Sequence, residues 1–219
     1  MQRTEYRKTG DGAEITRITS VDKVVEVPGF IDGLPVASIG PRFLNESHQG
    51  RTVRIPSSVI RIDQEAFEGS TGISRIEYGG NVETFSGFRL VAPCDCSLVF
   101  GDGYSFEFKG GFPMGFPEFD KAMRGFGSGL TLETALDRLR RPVGLSKDDE
   151  DWYRRFVSDR IMPRAERAAS SNDASALREL ISAGTMTVED LRRLLERSAR
   201  SGRVAVTSML MSEISSRSS

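Results

Sequence analysis

The sequence predicts a two-part α+β repeat protein. A short β-rich solenoid over residues 1–109 leads through a cap and linker, 110–130, to an all-α domain of helical hairpins, 131–219. Three observations predict it. First, a phrase returns every 23 residues: Val53, Ile55, Val59 and Ile62 are answered by Ile76, Tyr78, Val82 and Phe85, and Ile39 stands the same distance before Ile62. A fixed period of this length marks stacked units, because no single unit can bury its own apolar face. Second, from Thr131 the apolar spacing becomes helical. Third, seven of the thirteen phenylalanines fall between Phe100 and Phe126, interleaved with glycine and proline.

The earliest unit is a looser copy. Val25-Glu26-Val27-Pro28 matches Val53-Arg54-Ile55-Pro56 at an offset of 28, and the five extra residues fall in Gly29 to Pro35, where Asp32-Gly33 supplies a turn. The register then recovers, Val36-Ala37-Ser38-Ile39 matching Val59-Ile60-Arg61-Ile62. Within each unit apolar residues alternate as in a half-buried strand: Val25 and Val27, Val53 and Ile55, Ile76 and Tyr78. Proline ends the first two strands because it cannot donate to a ladder. Ala66-Phe67 lies on the return path and plugs the stack, with Phe43 and Leu90 in related places. A fourth, degraded unit is expected over Ser97–Phe108, with Val99 and Phe108 in phase with Ile76 and Phe85.

A strand, then Ile55-Pro56-Ser57-Ser58-Val59, Ile62 and Glu65-Ala66-Phe67-Glu68-Gly69, resembles the BspA-type leucine-rich repeat. The resemblance covers residues 24–108 and is most specific in 52–85. It implies a right-handed leucine-rich-repeat solenoid with short parallel strands on one face, protein as the partner, and no catalytic residues. Many members are surface or secreted proteins that bind other proteins or host matrix. Met1 to Lys8 has no apolar h-region, so a cytoplasmic setting is expected, with an exported surface antigen or adhesin as the alternative.

Strands stacked in register put their outward side chains in rows. Glu26, Arg54 and Glu77 line one row; Val24, Thr52 and Arg75 line the next. Rungs ~4.8 Å apart allow ion pairs between them. Glu26, Thr52, Arg54, Arg75 and Glu77 are therefore the candidate partner-binding residues. The competing expectation is a charge ladder that satisfies itself, each exposed pair being worth only ~0.2–1 kcal/mol.

Gly110 to Pro117 cannot be a regular helix. Its aromatics either seal the last coil and dock the second domain, as an open solenoid end requires, or form an apolar groove. Gly125-Phe126-Gly127-Ser128-Gly129 lacks the Lys-Ser/Thr of a phosphate loop and is expected to be a flexible joint.

In the second half Leu132, Ala135, Leu136 and Leu139 share one helix face and Pro142 closes the segment. Ser146-Lys147-Asp148-Asp149 resembles a capping box with a shorter acid, opening a long helix that Pro163 must kink or end. Further helices are expected at Ala174–Ala183, Val188–Arg200 and Val204–Ile214. Gly184 and Gly202 are the stops, Thr187 is an N-cap, and the tail Ser215–Ser219 is frayed. Leu177, Leu180 and Ile181 are expected against Leu191, Leu194 and Leu195. Asp190 to Glu196, Ser201-Gly202-Arg203 and Met209-Leu210 resemble degenerate ankyrin-type helix pairs, which implies protein contact.

Composition bounds the chemistry. Thirty basic against thirty-one acidic residues argue against nucleic-acid binding by bulk charge. The second half, sixteen basic against fourteen acidic, is read as a balanced helix surface. No apolar run reaches the ~20 residues of a transmembrane helix, so no membrane insertion is expected. Two cysteines build no disulfide scaffold. Zinc wants four ligands where the chain offers three, Cys94, Cys96 and His48, the last in an expected solvated loop, Asn45–Gly50. No cofactor is expected. The function expected is a non-catalytic adaptor; the less favoured competitor is a thiol enzyme at the domain junction using Cys94 or Cys96. Identity of the partner and oligomeric state are left open.

Overall fold

The computed structural model describes residues 2–44, 47–126 and 129–217, and the chain divides into two compact units, Met1–Phe126 and Gly127–Ser219. Residues 110–126, assigned from sequence to a cap and linker, are thus part of the first unit.

The first unit is a β-solenoid-like stack of two sheets. One has the order β10-β9-β8-β6-β3, from β3 (Val24–Glu26), β6 (Ser47–Ile55), β8 (Thr71–Tyr78), β9 (Cys96–Phe100) and β10 (Ser105–Phe108). β3, β6, β8 and β9 run parallel, with Val25, Val53, Ile76 and Leu98 side by side and each fully buried. The second sheet holds β1 (Arg3–Thr9), β2 (Gly12–Thr19), β5 (Leu34–Ile39) and β7 (Arg61–Ile62), with β4 (Phe30–Ile31) paired to β5. Ile15, Ile39 and Ile62 form its inward column. The five-residue insertion is the β4–β5 hairpin, whose two-residue turn at Asp32 and Gly33 has φ of 50° and 75°, the left-handed pair a type I′ turn needs.

The third coil departs from the second. Phe85 keeps the buried place of Ile62, but on a short helix α1 (Val82–Ser86), because the Asn81 side chain accepts the Thr84 N–H at 2.9 Å and starts a helical turn. Phe43 and Phe67 meet edge to face, centroids 5.4 Å apart, and Leu90 is buried too.

Ser97–Phe108 supplies a fourth rung through β9, but not in the expected register. Leu98, not Val99, stands beside Ile76, so this step is 22 residues, and β10 turns back antiparallel on β9 with Phe108 opposite Cys96. The turn at Gly101–Gly103 permits this reversal, with Gly103 at φ 86°. Phe106, Phe108, Phe116 and Phe119, the last on α2 (Glu118–Phe126), form one buried aromatic cluster with centroid separations from 4.8 to 6.0 Å. Those four rings are spent on the core and offer no open groove. The β1–β2 hairpin stands outside the repeat and was not anticipated. The Gln2 side-chain amide binds both the N–H and the carbonyl of Glu26 on the outer strand β3, at 3.0 and 2.6 Å.

Residues 47–50, expected in a loop, begin β6; Asn45, Glu46 and the His48 side chain lie outside what is described. Of the expected joint, Gly125 and Phe126 end α2 and residues 127–128 lie outside the described residues.

The second unit contains α3 (Leu132–Arg140), α4 (Lys147–Ser170), α5 (Ala174–Ser182), α6 (Val188–Arg200) and α7 (Val204–Arg217). Ser146 and Thr187 cap α4 and α6, the latter in a full capping box with Asp190, and Gly184 and Gly202 follow α5 and α6 at φ of 68° and 63°. Pro163 does not end α4. It lies on the exposed face, where the orphaned Asp159 carbonyl can reach water, while Tyr153, Val157, Ile161 and Ala165 hold the opposite face in the core. Residues 215–217, expected frayed, are helical: the Arg217 guanidinium donates to Glu213 and to the Met186 carbonyl at 2.8 Å each.

The helix neighbours differ from expectation. α5 lies mainly against α4 and α7, and α6 against α7 and α4. The hairpins are therefore α4–α5 and α6–α7, stacked like on like, and the leucines of α5 and α6 meet only as parts of a common core. This stack hides a 30-residue period. Hydrogen bonds Ser171 N–H to Arg167, Asn172 to Ala169, Asp173 to Ala168 and Leu177 to Asp173 recur as Ser201 to Arg197, Gly202 to Ala199, Arg203 to Ser198 and Thr207 to Arg203. Asn172 (φ 59°) and Gly202 (φ 63°) share the left-handed corner. Arg203, unlike Asp173, has no acceptor to cap the helix after it; the Asn172 side chain of the first hairpin accepts the Val206 N–H of α7 at 3.3 Å. No helix among the described residues is long and apolar enough to cross a membrane.

Candidate partner-binding face

Parallel pairing in register brings all five candidate residues onto the outer face of one sheet. Glu26, Arg54 and Glu77 stand side by side, as do Val24, Thr52 and Arg75. β9 extends the rows with Val99 and Ser97. Because residues two apart on a strand share a face, burial of Val25, Val53 and Ile76 obliges both rows to point outward.

The charges engage one another. Arg54 Nε lies 2.9 Å from Glu77 and its Nη1 2.8 Å from Glu26, while Arg75 Nε lies 2.6 Å from the other Glu77 oxygen. Hydrogen bonds from Arg75 and then Arg54 lower the Glu77 pKa, and those to Glu26 and Glu77 raise that of Arg54. The ladder is therefore complete above the ordinary carboxylate range and comes apart as pH falls through the depressed Glu77 value. Thr52 sits half-buried beside it. Next to the ladder the strand ends form a groove of about 510 Å³, lined by Glu26, Arg54, Arg75 and Glu77 with Val99 and Phe100. The face can offer a cluster of alternating charge, neutral once Arg75 of the next row is counted, each group already oriented by its neighbour.

A larger groove, about 790 Å³, lies on the other sheet, lined among others by Arg7, Glu14, Ser38, Arg61, Glu65 and Phe88. Arg7 pairs with Glu14 at 2.7 Å and Arg61 with Asp11 at 2.8 Å, and the buried Ser38 hydroxyl makes no hydrogen bond. The 23-residue period could not have found it, because the β1–β2 hairpin that contributes Arg7 and Glu14 is no part of the repeat. Polar alternation about Gly10-Asp11-Gly12 was the available signal.

The two thiols differ in access. Cys96 is buried, and that burial, with Cys94, Glu107 and Asp95 nearby, pushes its pKa up to about 12. The half-buried Cys94 Sγ donates to the Ile73 carbonyl at 3.0 Å. Among the described residues no group of three or more His, Cys, Asp or Glu side chains could hold a metal ion. In a neutral thiol-labelling assay Cys94 should react and Cys96 stay silent until the chain unfolds; rapid labelling of both in the native state would contradict the burial. The folded state keeps the Cys96 proton to about pH 12 against 9.0 for the ordinary thiol. Its contribution is thus intact below 9 and lost as pH rises through that window.

No family model, no curated protein and no solved structure matches this chain.

Proposed function

We propose that the chain is a non-catalytic protein-binding adaptor whose partner docks on the outer strand face of the solenoid. The observation that carries this is the register, which collects Glu26, Thr52, Arg54, Arg75 and Glu77 on one exposed surface beside a groove. The Glu-Arg-Glu row with its flanking Arg75 is pre-oriented by its own ion pairs, so a partner of complementary alternating charge exchanges contacts with little ordering cost. The first unit is read as a BspA-type leucine-rich repeat and the second as a degenerate ankyrin-like hairpin stack. Both repeat types are surfaces for protein contact. The stacked parallel rungs and paired helical hairpins support that reading, and a cytoplasmic setting goes with it.

The test is capture from native lysate on the intact chain and on the double charge reversal Arg54→Glu/Arg75→Glu. Specific capture should fall at least about tenfold in the variant, while the thermal midpoint moves by no more than about 2 °C, as exposed pairs contribute little. A partner held equally by both proteins would place binding elsewhere.

A further inference from the structure

One end of the second unit is covered by α3, whereas α7 exposes Val204 and Met211 among the described residues. At the first end α3 packs on α4, with Glu133 paired to Arg164, and reaches α5 through Arg140, which donates to the Glu179 carbonyl at 2.8 Å.

The 30-residue period identifies the surface left open. Ala169, Leu177 and Ile181 in the first hairpin are 5%, 0% and 3% exposed. Their counterparts in the second are Ala199, Thr207 and Met211. Ala199 is exposed, Thr207 half-exposed, and Met211 57% exposed; Val204, counterpart of Ala174, is 75% exposed. These residues, with Gly202 and Ser208, line a single depression of about 370 Å³. The second hairpin thus repeats the surface by which the first receives a neighbour, and nothing in the second unit covers it. This continues an interface the unit already uses.

Charge selects the occupant. Residues 204–212 of α7 carry no charge, whereas the exposed positions of α6 include Arg192, Arg193, Glu196, Arg197 and Arg200. An ordinary solvated helix face is charged; a neutral one can be laid against itself without like-charge contact. On α7 the stripe Val204, Ser208, Met211 at i, i+4 and i+7 sets a small residue between two larger ones, beside Ala199 and Gly202. The same patch therefore supplies both protrusion and recess, which a twofold interface requires.

We propose that two copies of this chain pair through this face, α7 against α7 about a twofold axis, with Ala199 and Gly202 at the edge of the contact. The contact closes on itself and forms a dimer, not a filament. It does not use the strand face, so its failure would leave the adaptor function standing, and the reverse.

Sedimentation velocity of the full chain from roughly 2 to 200 µM, the range that brackets a micromolar Kd, should show the average mass rising from 24.2 kDa toward the dimer. Met211→Glu and Val204→Glu should each weaken self-association at least tenfold, since each places a carboxylate against a neutral face. Both positions are exposed, so circular-dichroism melting below the parent's Kd, where pairing adds nothing to stability, should be unchanged. Ser208→Tyr, which fills the recess instead of charging it, should weaken pairing as well. Arg54→Glu/Arg75→Glu should sediment like the parent. A chain that remains monomeric throughout overturns the pairing and leaves the face to a helical hairpin of a different protein. A dimer whose Kd moves less than twofold in all three variants of the α7 stripe also overturns it.

Discussion

Replacing Phe85 with alanine should destabilise the first unit by about 3–5 kcal/mol, the cost of emptying a large aromatic site in a core that cannot collapse onto it. The ring is fully buried and meets Tyr78, Phe88 and Phe100 with centroids 5.4, 5.6 and 5.7 Å away. It occupies the place where the strand sheet of the inner column gives way to α1, so its loss removes contacts from three successive segments. Phe85→Leu keeps most of the volume and should cost less than about 2 kcal/mol. Urea unfolding of the full chain, followed by near-ultraviolet circular dichroism of this cluster, is the measurement. A loss under about 1 kcal/mol for alanine would show that the cluster is not holding the coil together.

Gly12→Ala is the second large effect, expected near 3 kcal/mol or above. Gly12 opens β2 at φ 135°, and a Cβ there would stand 2.2 Å from the Pro35 carbonyl oxygen. Two penalties combine: a backbone conformation that costs ~1–3 kcal/mol for an L side chain, and a clash with main chain that cannot rotate away. The consequence reaches beyond the hairpin, because β2 also pairs with β5 and joins the hairpin to the rest of the second sheet. Gly10→Ala, with no atom within 4 Å of its Cβ, is the control and should be near neutral. Equal midpoints for the two variants would mean that the β2–β5 approach is looser than described.

What could be read in advance was what the repeat determines arithmetically. Val53 and Ile76 share a buried column because strand alternation and the 23-residue period both demand it, Val25 joins them through the 28-residue offset of the looser copy, and the rows Glu26–Arg54–Glu77 and Val24–Thr52–Arg75 follow from the same register. The pairing scheme within the row could not be read: that Arg54 bridges Glu26 and Glu77 while Arg75 takes the other Glu77 oxygen depends on rotamers. Leu98 was displaced by one in the reading because the last step loses a residue, and a strand slipped by one exchanges its faces. Pro163 misled because a proline's cost depends on which side of the helix it meets, and local sequence does not say that water waits there. The 30-residue helical period went unread because its strongest markers, Ser171 and Ser201, Asn172 and Gly202, are corner residues and not apolar ones. The larger groove on the second sheet was invisible for a related reason, being built in part by a hairpin with no second copy.

The bond from the Val206 N–H to the Asn172 side-chain oxygen makes α7 a conditional helix. Its first turn borrows an acceptor from the preceding hairpin, so order can pass from α4–α5 to α6–α7 through the corner, but a corner that has come undone leaves the last helix with one amide unserved. In a chain of neighbours whose stabilities are linked, this sets a direction. Of the two hairpins, α6–α7 should open before α4–α5 and close after it, and a chain emerging from the ribosome would have its receiving corner in place before the helix that needs it has been made.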